Sequence, residues 1–370
     1  MKMRLLIFSR YTSLQASTRV RFLQFIPYLN NQGIEVEIFP LLSNNSISIK
    51  HHFLKLFFLR FIDLVRTLKT LTKIKPNTKI HIYIELFPWL PFWLEFFLLN
   101  IFGIKNYSLE YDDAWFHRYD EHPNFLIRFM YKNKIAALMK HAQLVIAGNF
   151  YIANYAKLSG AKNIEIIPTV VDLNHYPNYV KQINTFQQCK PVVVWIGTPS
   201  TVKYLQLVAP ALQALAVKLP YILRVIGGGN VSMPGVNIEI LDWSEDTEAT
   251  NLQASDVGIM PLLDNSWEQG KCAYKLIQYM ACGLPTVASA VGANNEVVLQ
   301  GKTGYLVKTV NEWVDALEKL LINEDLRYKF GAAGRERVKN KYCVQVVNPF
   351  LAHLFLQNKT NKITNSEIKA

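Results

Sequence analysis

The stretch WEQGKCAYKLIQYMACGLPTVAS, residues 267–289, decides the fold. On a helix advancing about 100° per residue, one face of it is entirely apolar. That face consists of Ala273, Leu276, Ile277 and Met280. Directly after it, Thr286–Ala288 is a short apolar run typical of a buried strand. A helix followed by a buried strand predicts one unit of an α/β sheet.

The same alternation of short apolar runs and helical stretches extends in both directions along the chain. Such runs indicate buried parallel strands, and two successive series predict two doubly wound, Rossmann-like domains. We expect domains at 1–172 and 173–341, followed by a segment, 342–370, that packs back on the first domain and ends in a frayed tail. The predicted strands are Leu5–Phe8, Val36–Phe39, Ile80–Ile84, Tyr107–Leu109, Leu144–Ala147, Ile164–Ile167, Val192–Ile196, Leu223–Ile226, Ile238–Leu241, Val257–Met260 and Thr286–Ala288.

Opposite the apolar face of residues 267–281, the same helix carries polar groups. If the helix extends that far back, Glu268, Lys271, Lys275 and Gln278 cluster there, and Gly270 lies at its entry. Two lysines and free backbone N–H groups suit a diphosphate, while the carboxylate and the amide suit hydroxyls. The alternative is an ordinary amphipathic helix with a solvated polar face.

Several motifs together resemble those of the group 1 (family 4) retaining glycosyltransferases. They are Met280–Ser289, Val291–Glu296, Asp256–Leu262 and Ile167–Asp172. The resemblance implies the GT-B fold, with two Rossmann-like domains facing each other across a nucleotide-sugar cleft. It also implies sugar transfer with retention at the anomeric carbon, with no metal and no other cofactor besides the nucleotide-sugar co-substrate.

The sequence departs from the family pattern at three positions. The family's two glutamates, which seven residues separate, correspond to Gly270 and Gln278, and Glu268 lies two residues early. Gln278 can still bond a ribose hydroxyl, since an amide both donates and accepts. Thr198 replaces the arginine of a Gly-Arg pair that binds donor phosphates, whereas Lys203 is retained. These changes leave the donor sugar open.

The resemblance and the glycines extend the predicted donor site. Gly197 and Thr198 follow the strand Val192–Ile196, and Lys203 is either a phosphate ligand or a surface lysine. Gly227 and Gly228 would let a base or ribose approach the backbone. Trp243 is either a base-stacking neighbour or a core residue.

Catalysis is assigned to the end of the strand Tyr107–Leu109. Asp112 and Asp113 follow it, where open α/β sheets bind ligands. Asp113 would accept or orient the acceptor proton, with His117 in reserve, unless the carboxylates only cap the next helix. In the first domain, Ser17, Arg19 and Arg21 are the predicted acceptor contacts, Arg19 alternatively being an exposed first-turn residue.

The net charge and the cysteine spacing bear on the protein's partners and on its cellular compartment. The 370 residues carry a formal charge of +12, which either attracts an anionic partner or only aids solubility. No basic patch interleaved with stacking aromatics argues for nucleic acid. Cysteines 189, 272, 282 and 343 lack metal or disulfide spacing, and the apolar run near the N-terminus is too short for a signal peptide. We expect a cytoplasmic protein with reduced thiols.

Two segments of the first half bear on membranes. Residues 50–79 place Leu54, Phe57, Phe58, Phe61, Val65 and Leu68 on one helical stripe amid basic residues. This is either a packed helix with a solvated basic face or an interfacial helix on anionic lipid. Residues 86–99 are apolar but too short to span a bilayer, and form either a buried helix or a membrane wedge.

The predicted function is therefore a cytoplasmic, peripheral-membrane glycosyltransferase. It would move a sugar from a nucleotide diphosphate sugar to a cell-envelope glycan or a lipid-linked precursor. The alternatives are another GT-B enzyme, such as a nucleotide-sugar epimerase, and a non-catalytic nucleotide- or glycan-binding scaffold.

Overall fold

A computed structural model describes residues 3–44, 53–177 and 190–357. Cys189, most of the linker after residue 172 and the predicted frayed tail from residue 358 lie outside this range. The described chain builds two six-stranded parallel sheets with helices between most successive strands. The predicted α/β class with two doubly wound sheets is confirmed.

The first sheet has the strand order β2-β1-β3-β4-β5-β6. Its strands are β1 (Met3–Ser9), β2 (Ile34–Pro40), β3 (Thr78–Tyr83), β4 (Tyr107–Tyr111), β5 (Leu144–Ala147) and β6 (Ile164–Ile166). The second sheet has the order β12-β11-β10-β7-β8-β9. Its strands are β7 (Val192–Ile196), β8 (Ile222–Ile226), β9 (Ile238–Leu241), β10 (Val257–Met260), β11 (Thr286–Ser289) and β12 (Gly304–Val307).

Helices connect these strands, and 3₁₀ turns at Leu23–Phe25, Leu173–His175 and Val202–Tyr204 supplement them. Up to β6 the helices are α1 (Ala16–Arg21), α2 (Ile26–Asn31), α3 (Phe53–Leu71), α4 (Phe92–Ile101), α5 (His117–Asp120), α6 (Phe125–Tyr131), α7 (Lys134–His141) and α8 (Phe150–Leu158). Those that follow are α9 (Leu205–Lys218), α10 (Glu245–Gln253), α11 (Ser266–Gln269), α12 (Tyr274–Ala281), α13 (Asn294–Val297), α14 (Val310–Ile322), α15 (Glu324–Lys341) and α16 (Val344–Leu356).

Every predicted strand is present, whereas β12 was not foreseen. Its four residues, GYLV, begin with a glycine and are only partly buried, so they lack the continuous apolar run of a central strand. Gly304 is required there because a Cβ would lie 2.1 Å from the Thr286 carbonyl oxygen. This edge strand is thus decided by close backbone approach, which the hydrophobic pattern does not report.

The second sheet is covered on both faces, as its continuous apolar strands require. Alternate residues of β7 enter different cores: Val193 and Trp195 pack on one side, and Val194 and Ile196 on the other. Helix α12 covers the side of Val194, while α9 and α14 cover the side of Trp195.

The chain divides into two compact units, residues 1–109 with 345–370, and residues 110–344. Within the first unit, the Lys79 ammonium donates to the carbonyl oxygens of Phe355 and Gln357 at the end of α16. The His81 ring also meets Phe355 edge-on, with centroids 5.4 Å apart. These contacts attach the C-terminal helix to β3; the limits at residues 172 and 341 remain a prediction.

The prediction of a single helix that extends from residue 281 back to residue 268 is wrong. The segment forms two helices, α11 and α12, separated by residues 270–273, with Ala273 in the left-handed region at φ 53°. The Asn265 side chain caps α11 by accepting from the Glu268 N–H at 3.1 Å. Residues just after strands β4 and β5 hold the segment between the two helices.

Among the described residues, no helix has both the length and the apolar character needed to cross a bilayer. The apolar segment 86–99 contributes to the ten-residue helix α4. That helix buries Glu95 and Leu99 and exposes Trp93 and Phe97, which are 68% and 57% accessible. It therefore combines a buried face with an outward apolar one.

The buried hydroxyl of Tyr279 joins two central strands. It accepts from the Ile196 N–H of β7 at 3.0 Å and donates to the Ile259 carbonyl of β10 at 3.2 Å. Replacing Tyr279 by Phe would leave a buried N–H without its acceptor, which costs about 1–3 kcal/mol.

We therefore expect Tyr279→Phe to lower the free energy of unfolding by about that amount in urea titrations followed by circular dichroism. Tyr328→Phe, at a position that is 76% exposed on α15, is the matched control and should leave unfolding unchanged. Equal stability of the two variants would contradict the role of this hydroxyl.

Candidate functional site

In the unit formed by residues 110–344, the segment after α11 is seated on the ends of β4 and β5. Cys272 Sγ donates to the Asp112 carbonyl oxygen just after β4. Asn149, just after β5, donates its amide to the Lys271 carbonyl oxygen at 3.0 Å. Gly148 makes room for this contact, since a Cβ there would lie 2.3 Å from Cys272 Sγ. The carboxyl ends of two parallel strands thus hold residues 270–272 in place.

Gly270 has a different role from the one predicted. It caps the C-terminal end of α11, and its N–H donates to the Trp267 carbonyl at 3.2 Å, so it offers no free N–H to a ligand. A Cβ at this position would lie 2.5 Å from the Ala114 nitrogen and 2.4 Å from its Cβ. Glycine is required because the backbone passes directly against the loop after β4.

This close approach places a carboxylate beside two lysines. Lys271 Nζ lies 3.9 Å from Asp113 Oδ1, and both side chains are partly exposed. Loss of solvation raises the pKa of Asp113 to about 7; Lys271 and Lys275 oppose the rise, while Asp112 and Glu268 add to it. Loss of solvation, reinforced by Lys271, lowers the pKa of Lys275 to about 8.

Because of these two pKa values, the charges of Asp113 and Lys275 change with pH close to neutrality. Near neutrality Asp113 is present in both protonation states, whereas Lys275 is largely cationic. Lys275 Nζ lies over the Trp195 ring at 5.0 Å from its centroid, which stabilises the cation on a buried aromatic face. The arrangement can attract an anion and exchange a proton at Asp113.

Glu268 is buried, although the sequence placed it on an open polar face. Its Oε1 accepts from the Tyr204 hydroxyl, and burial followed by Glu268 raises the pKa of that tyrosine, which keeps it a donor. Among the described residues, Glu268 Oε2 has no hydrogen-bond partner. A buried carboxylate oxygen in that state is an acceptor for a ligand hydroxyl.

Gln278 is also buried and lies in a network that the sequence did not reveal. Its amide donates to Glu248 Oε1 at 2.7 Å and to the Tyr176 hydroxyl at 3.2 Å. The Tyr176 hydroxyl donates to the same Glu248 oxygen at 2.5 Å, and Trp243 Nε1 donates to Glu248 Oε2 at 2.6 Å. Glu248 of α10 therefore supplies a fixed carboxylate next to the amide at position 278.

The predicted glycine loops surround Trp195 and Trp243. A Cβ at Gly197 would lie 2.5 Å from the Trp195 ring, and one at Gly227 would lie 2.6 Å from the Gly197 carbonyl oxygen. Gly227 also adjoins Trp243, and a Cβ at Gly228 would meet Val225 at 2.7 Å. The glycines therefore permit close packing between the loops after β7, β8 and β9. The indole of Trp243 remains 39% exposed.

The remaining donor candidates are exposed. Thr198 exchanges a hydroxyl contact with Ser200 at 2.8 Å, and its N–H donates to Thr201 Oγ1 at 3.1 Å. Lys203 is exposed, with its ammonium 5.4 Å from the Tyr204 ring centroid. Both residues leave polar groups near Gly197, where the sequence predicted phosphate contacts.

His117, the reserve catalytic candidate, is committed to local contacts. Its Nδ1 lies 2.8 Å from Asp120 Oδ1 and 3.2 Å from Glu121 Oε1, and its Nε2 lies 2.8 Å from the Tyr151 hydroxyl. The ligand atoms of His117, Asp120 and Glu121 lie within 4.8 Å of one another, a grouping that can bind a cation. These contacts direct His117 towards α5 and α8 instead of a substrate.

The acceptor candidates belong to the other unit, residues 1–109 with 345–370. Arg19 donates to the Ser13 and Leu14 carbonyl oxygens at 3.2 and 3.0 Å, which fixes the loop before α1. Arg21 is buried and Ser17 half-buried.

Sequence reasoning missed a buried ion pair in that unit. Arg10 Nη1 lies 3.4 Å from Glu85 Oε1; Arg10 directly follows β1, and Glu85 lies two residues after the end of β3. Ile84 precedes Glu85 with φ 73°, an outlier for a β-branched residue and a mark of stored strain. The position of Glu85 after the strand Ile80–Ile84 was the available signal.

Comparison with known proteins gives a family match in the second sheet. Residues 190–323 match the family described as glycosyl transferases group 1. N-acetyl-alpha-D-glucosaminyl L-malate synthase of Bacillus anthracis is 26% identical over 196 residues, or 49% of this chain and 50% of that protein. The chain thus spans about half the length of this curated relative.

Solved structures match nearly the whole chain. Sucrose-phosphate synthase from Thermosynechococcus elongatus has a TM-score of 0.69 at 17% identity, covering 96% of this chain and 98% of that chain. HepE from Anabaena, in complex with UDP-glucose, has a TM-score of 0.66 at 14% identity, with 95% and 99% covered. The fold is therefore the GT-B fold of these proteins.

The pKa values predict how anion binding depends on pH. Below about 7 Asp113 is neutral, and below about 8 Lys275 is cationic, so both changes favour an anion at lower pH. We expect the dissociation constant for sulfate, whose charge is constant in this range, to rise about tenfold or more between pH 6 and 9.

Isothermal titration of sulfate into the protein measures this rise. Lys275→Gln should remove the step near pH 8, and Asp113→Asn the step near pH 7. A flat profile for the wild-type protein would contradict the assignment of these groups to an anion site.

Proposed function

We propose that this protein is a glycosyltransferase, because residues 190–323 match the family described as glycosyl transferases group 1 and the chain has the GT-B fold. It moves a sugar from a nucleotide diphosphate sugar to an acceptor hydroxyl. The observation that carries the proposal is the pair of lysines, Lys271 and Lys275, held beside Asp113 at the carboxyl ends of parallel strands.

Lys271 and Lys275 bind the diphosphate. In the reaction the bond from the anomeric carbon to the diphosphate oxygen breaks, and negative charge grows on that oxygen. Cations already in place stabilise this charge without reorganising during the reaction. Lys203, exposed on the loop after β7, adds a third cation, and Thr198 adds a hydroxyl.

Asp113 accepts or orients the proton of the acceptor hydroxyl. The acceptor oxygen forms the new bond to the anomeric carbon, and its proton passes to Asp113 or to the departing diphosphate. A pKa of about 7 suits this role, because a base near the working pH is partly ionised and still basic enough to take the proton. Asp112 raises this pKa through its charge, so it tunes the same group.

The nucleoside lies against the network around Gln278. The exposed indole of Trp243 offers an aromatic face for the base, and the fixed carboxylate of Glu248 accepts from ribose hydroxyls. Glu268 Oε2 accepts from a hydroxyl of the transferred sugar. HepE, which shares this fold, was solved with UDP-glucose, and this supports a nucleotide-sugar donor.

We further propose retention at the anomeric carbon and independence of a metal, as the resemblance implies. The acceptor would be a cell-envelope glycan or a lipid-linked precursor. We place the enzyme at the cytoplasmic face of the plasma membrane, in line with the three buried cysteines of the described chain, which form no disulfide. Its excess of basic residues suits an anionic membrane surface.

A screen of UDP-, GDP-, ADP- and dTDP-sugars tests the proposal directly. We expect one donor to raise the melting temperature, because a ligand that binds only the folded state stabilises it. The same donor should be hydrolysed slowly in solution and consumed faster with a membrane extract, equally with and without EDTA.

Interconversion of the free nucleotide sugar would instead indicate an epimerase. Binding without any turnover would indicate a scaffold. No stabilisation by any donor would overturn the proposal.

The variants of Asp113 and Lys271 separate the two chemical roles. Asp113→Asn should reduce transfer by about 10²–10⁴-fold without weakening nucleotide binding, because the variant loses the proton acceptor but no cation. Lys271→Ala should cost about 2–4 kcal/mol of transition-state stabilisation, since it removes a phosphate cation.

Steady-state kinetics and nucleotide titrations measure both variants. Lys302→Ala, an exposed lysine between β11 and β12, is the matched control and should behave as wild type. Full activity of Asp113→Asn would contradict its assignment as the proton acceptor.

A further inference from the structure

Helix α3 buries polar side chains and exposes apolar ones, the reverse of an ordinary amphipathic helix. Its buried side chains include Asp63 and Thr67, which are 4% and 3% accessible. Its outward side chains include Phe57, Phe58 and Phe61, which are 60%, 63% and 57% accessible. A helix at the surface of a globular protein normally shows the reverse pattern.

Specific bonds hold the polar side of α3 against the protein. The Asp63 carboxylate accepts from the Ser43 N–H at 3.3 Å and pairs with Arg66 at 3.3 Å. Arg66 donates to the carbonyl oxygens of Pro40 and Leu41 at the end of β2, at 2.6 and 3.3 Å. Rotating the helix to hide its phenylalanines would break the bonds of Asp63 to Ser43 and of Arg66 to these carbonyl oxygens. The outward apolar face is therefore fixed by the fold.

The exposed charged residues of α3 are all basic. At about 100° per residue, Lys55 and Lys69 lie along one edge of the apolar arc and Arg60 along the other, and all three are exposed. The one acidic residue of α3, Asp63, is buried on the opposite side. An aromatic face bordered by cations is complementary to an anionic bilayer, where rings enter the interface and ammonium groups meet head groups.

A second helix of the same unit extends the apolar surface. Strand order β2-β1-β3-β4 makes the crossovers from β2 to β3 and from β3 to β4 run in the same direction. Right-handed crossovers then place α3 and α4 on one face of the sheet. Helices α1 and α2 lie on the other face of the sheet, where Phe22, at the end of α1, contacts Tyr83. Helix α4 directs Trp93 and Phe97 outward, and tryptophan is favoured at membrane interfaces.

We propose that the outward face of α3 docks the protein on an anionic lipid bilayer, with Phe57, Phe58, Phe61 and Ile62 entering the interface. Docking does not require a spanning helix, since a helix in the interface plane buries only one face. The inference deepens the proposed function, because it gives a lipid-linked acceptor its route to the enzyme. Vesicle binding without a nucleotide sugar tests the docking independently of sugar transfer.

Flotation of the full chain with vesicles tests the proposal. Wild-type protein should bind vesicles of phosphatidylcholine mixed with phosphatidylglycerol and bind pure phosphatidylcholine much more weakly. The double variant Phe57→Ser/Phe61→Ser should reduce the partition coefficient by more than about tenfold, because it removes two rings that would be buried in the bilayer interface. Lys55→Glu/Lys69→Glu should weaken binding to the anionic vesicles only.

The matched control is Val217→Ser/Ile322→Ser, at positions 89% and 72% exposed in the other unit, which should bind as wild type. Unchanged melting temperatures would show that the variants fold. Wild-type binding by Phe57→Ser/Phe61→Ser would overturn the proposal.

A dimer of the wild-type protein that becomes monomeric in that double variant would also overturn it, since a second copy would then cover the face; light scattering measures this. If docking is found but no donor is ever used, the proposed function alone fails.

Discussion

The structure depends on how residues 270–272 are seated against the ends of β4 and β5. Gly270 allows the backbone to pass against Ala114, whose nitrogen would lie 2.5 Å from a Cβ at position 270. Cys272 and Asn149 supply the hydrogen bonds that hold the segment. Without this contact, Lys271 and Asp113 would belong to separate loops. With it, a cation and a carboxylate lie 3.9 Å apart, and their charges become coupled.

The electrostatics of the site follow from that contact. Loss of solvation moves the pKa of Asp113 up to about 7 and that of Lys275 down to about 8, so the two groups titrate close to neutrality. Away from this cluster, Glu248 accepts from Tyr176, Gln278 and Trp243, and this fixes a second carboxylate. In the proposed function, one region provides cations for phosphate and a proton acceptor, and the other provides an aromatic face and a carboxylate. We propose that these regions bind the two ends of a nucleotide sugar.

The unit of residues 1–109 and 345–370 differs in how it treats its apolar residues. Helix α3 keeps Asp63 and Thr67 inside and its phenylalanines outside, although the sequence shows the same alternation of apolar and polar positions as a core-facing helix. The bonds of Asp63 and Arg66 near the end of β2 decide the orientation. Exposed apolar surface of this kind normally marks an interaction site, and the surrounding lysines favour an anionic partner.

The sequence by itself determined the α/β class, because buried parallel strands require continuous apolar runs, and those runs are visible without any contact. It also indicated Lys271, Lys275 and Asp113, since polar residues at strand and helix ends stand out. Only the tertiary structure decided that α11 and α12 are separate, that Gly270 serves packing, and that Glu248 accompanies Gln278. These depend on residues far apart in sequence, whose approach no local period records. The direction in which α3 faces was settled in the same way, because periodicity gives the two sides of a helix but not which one the fold buries.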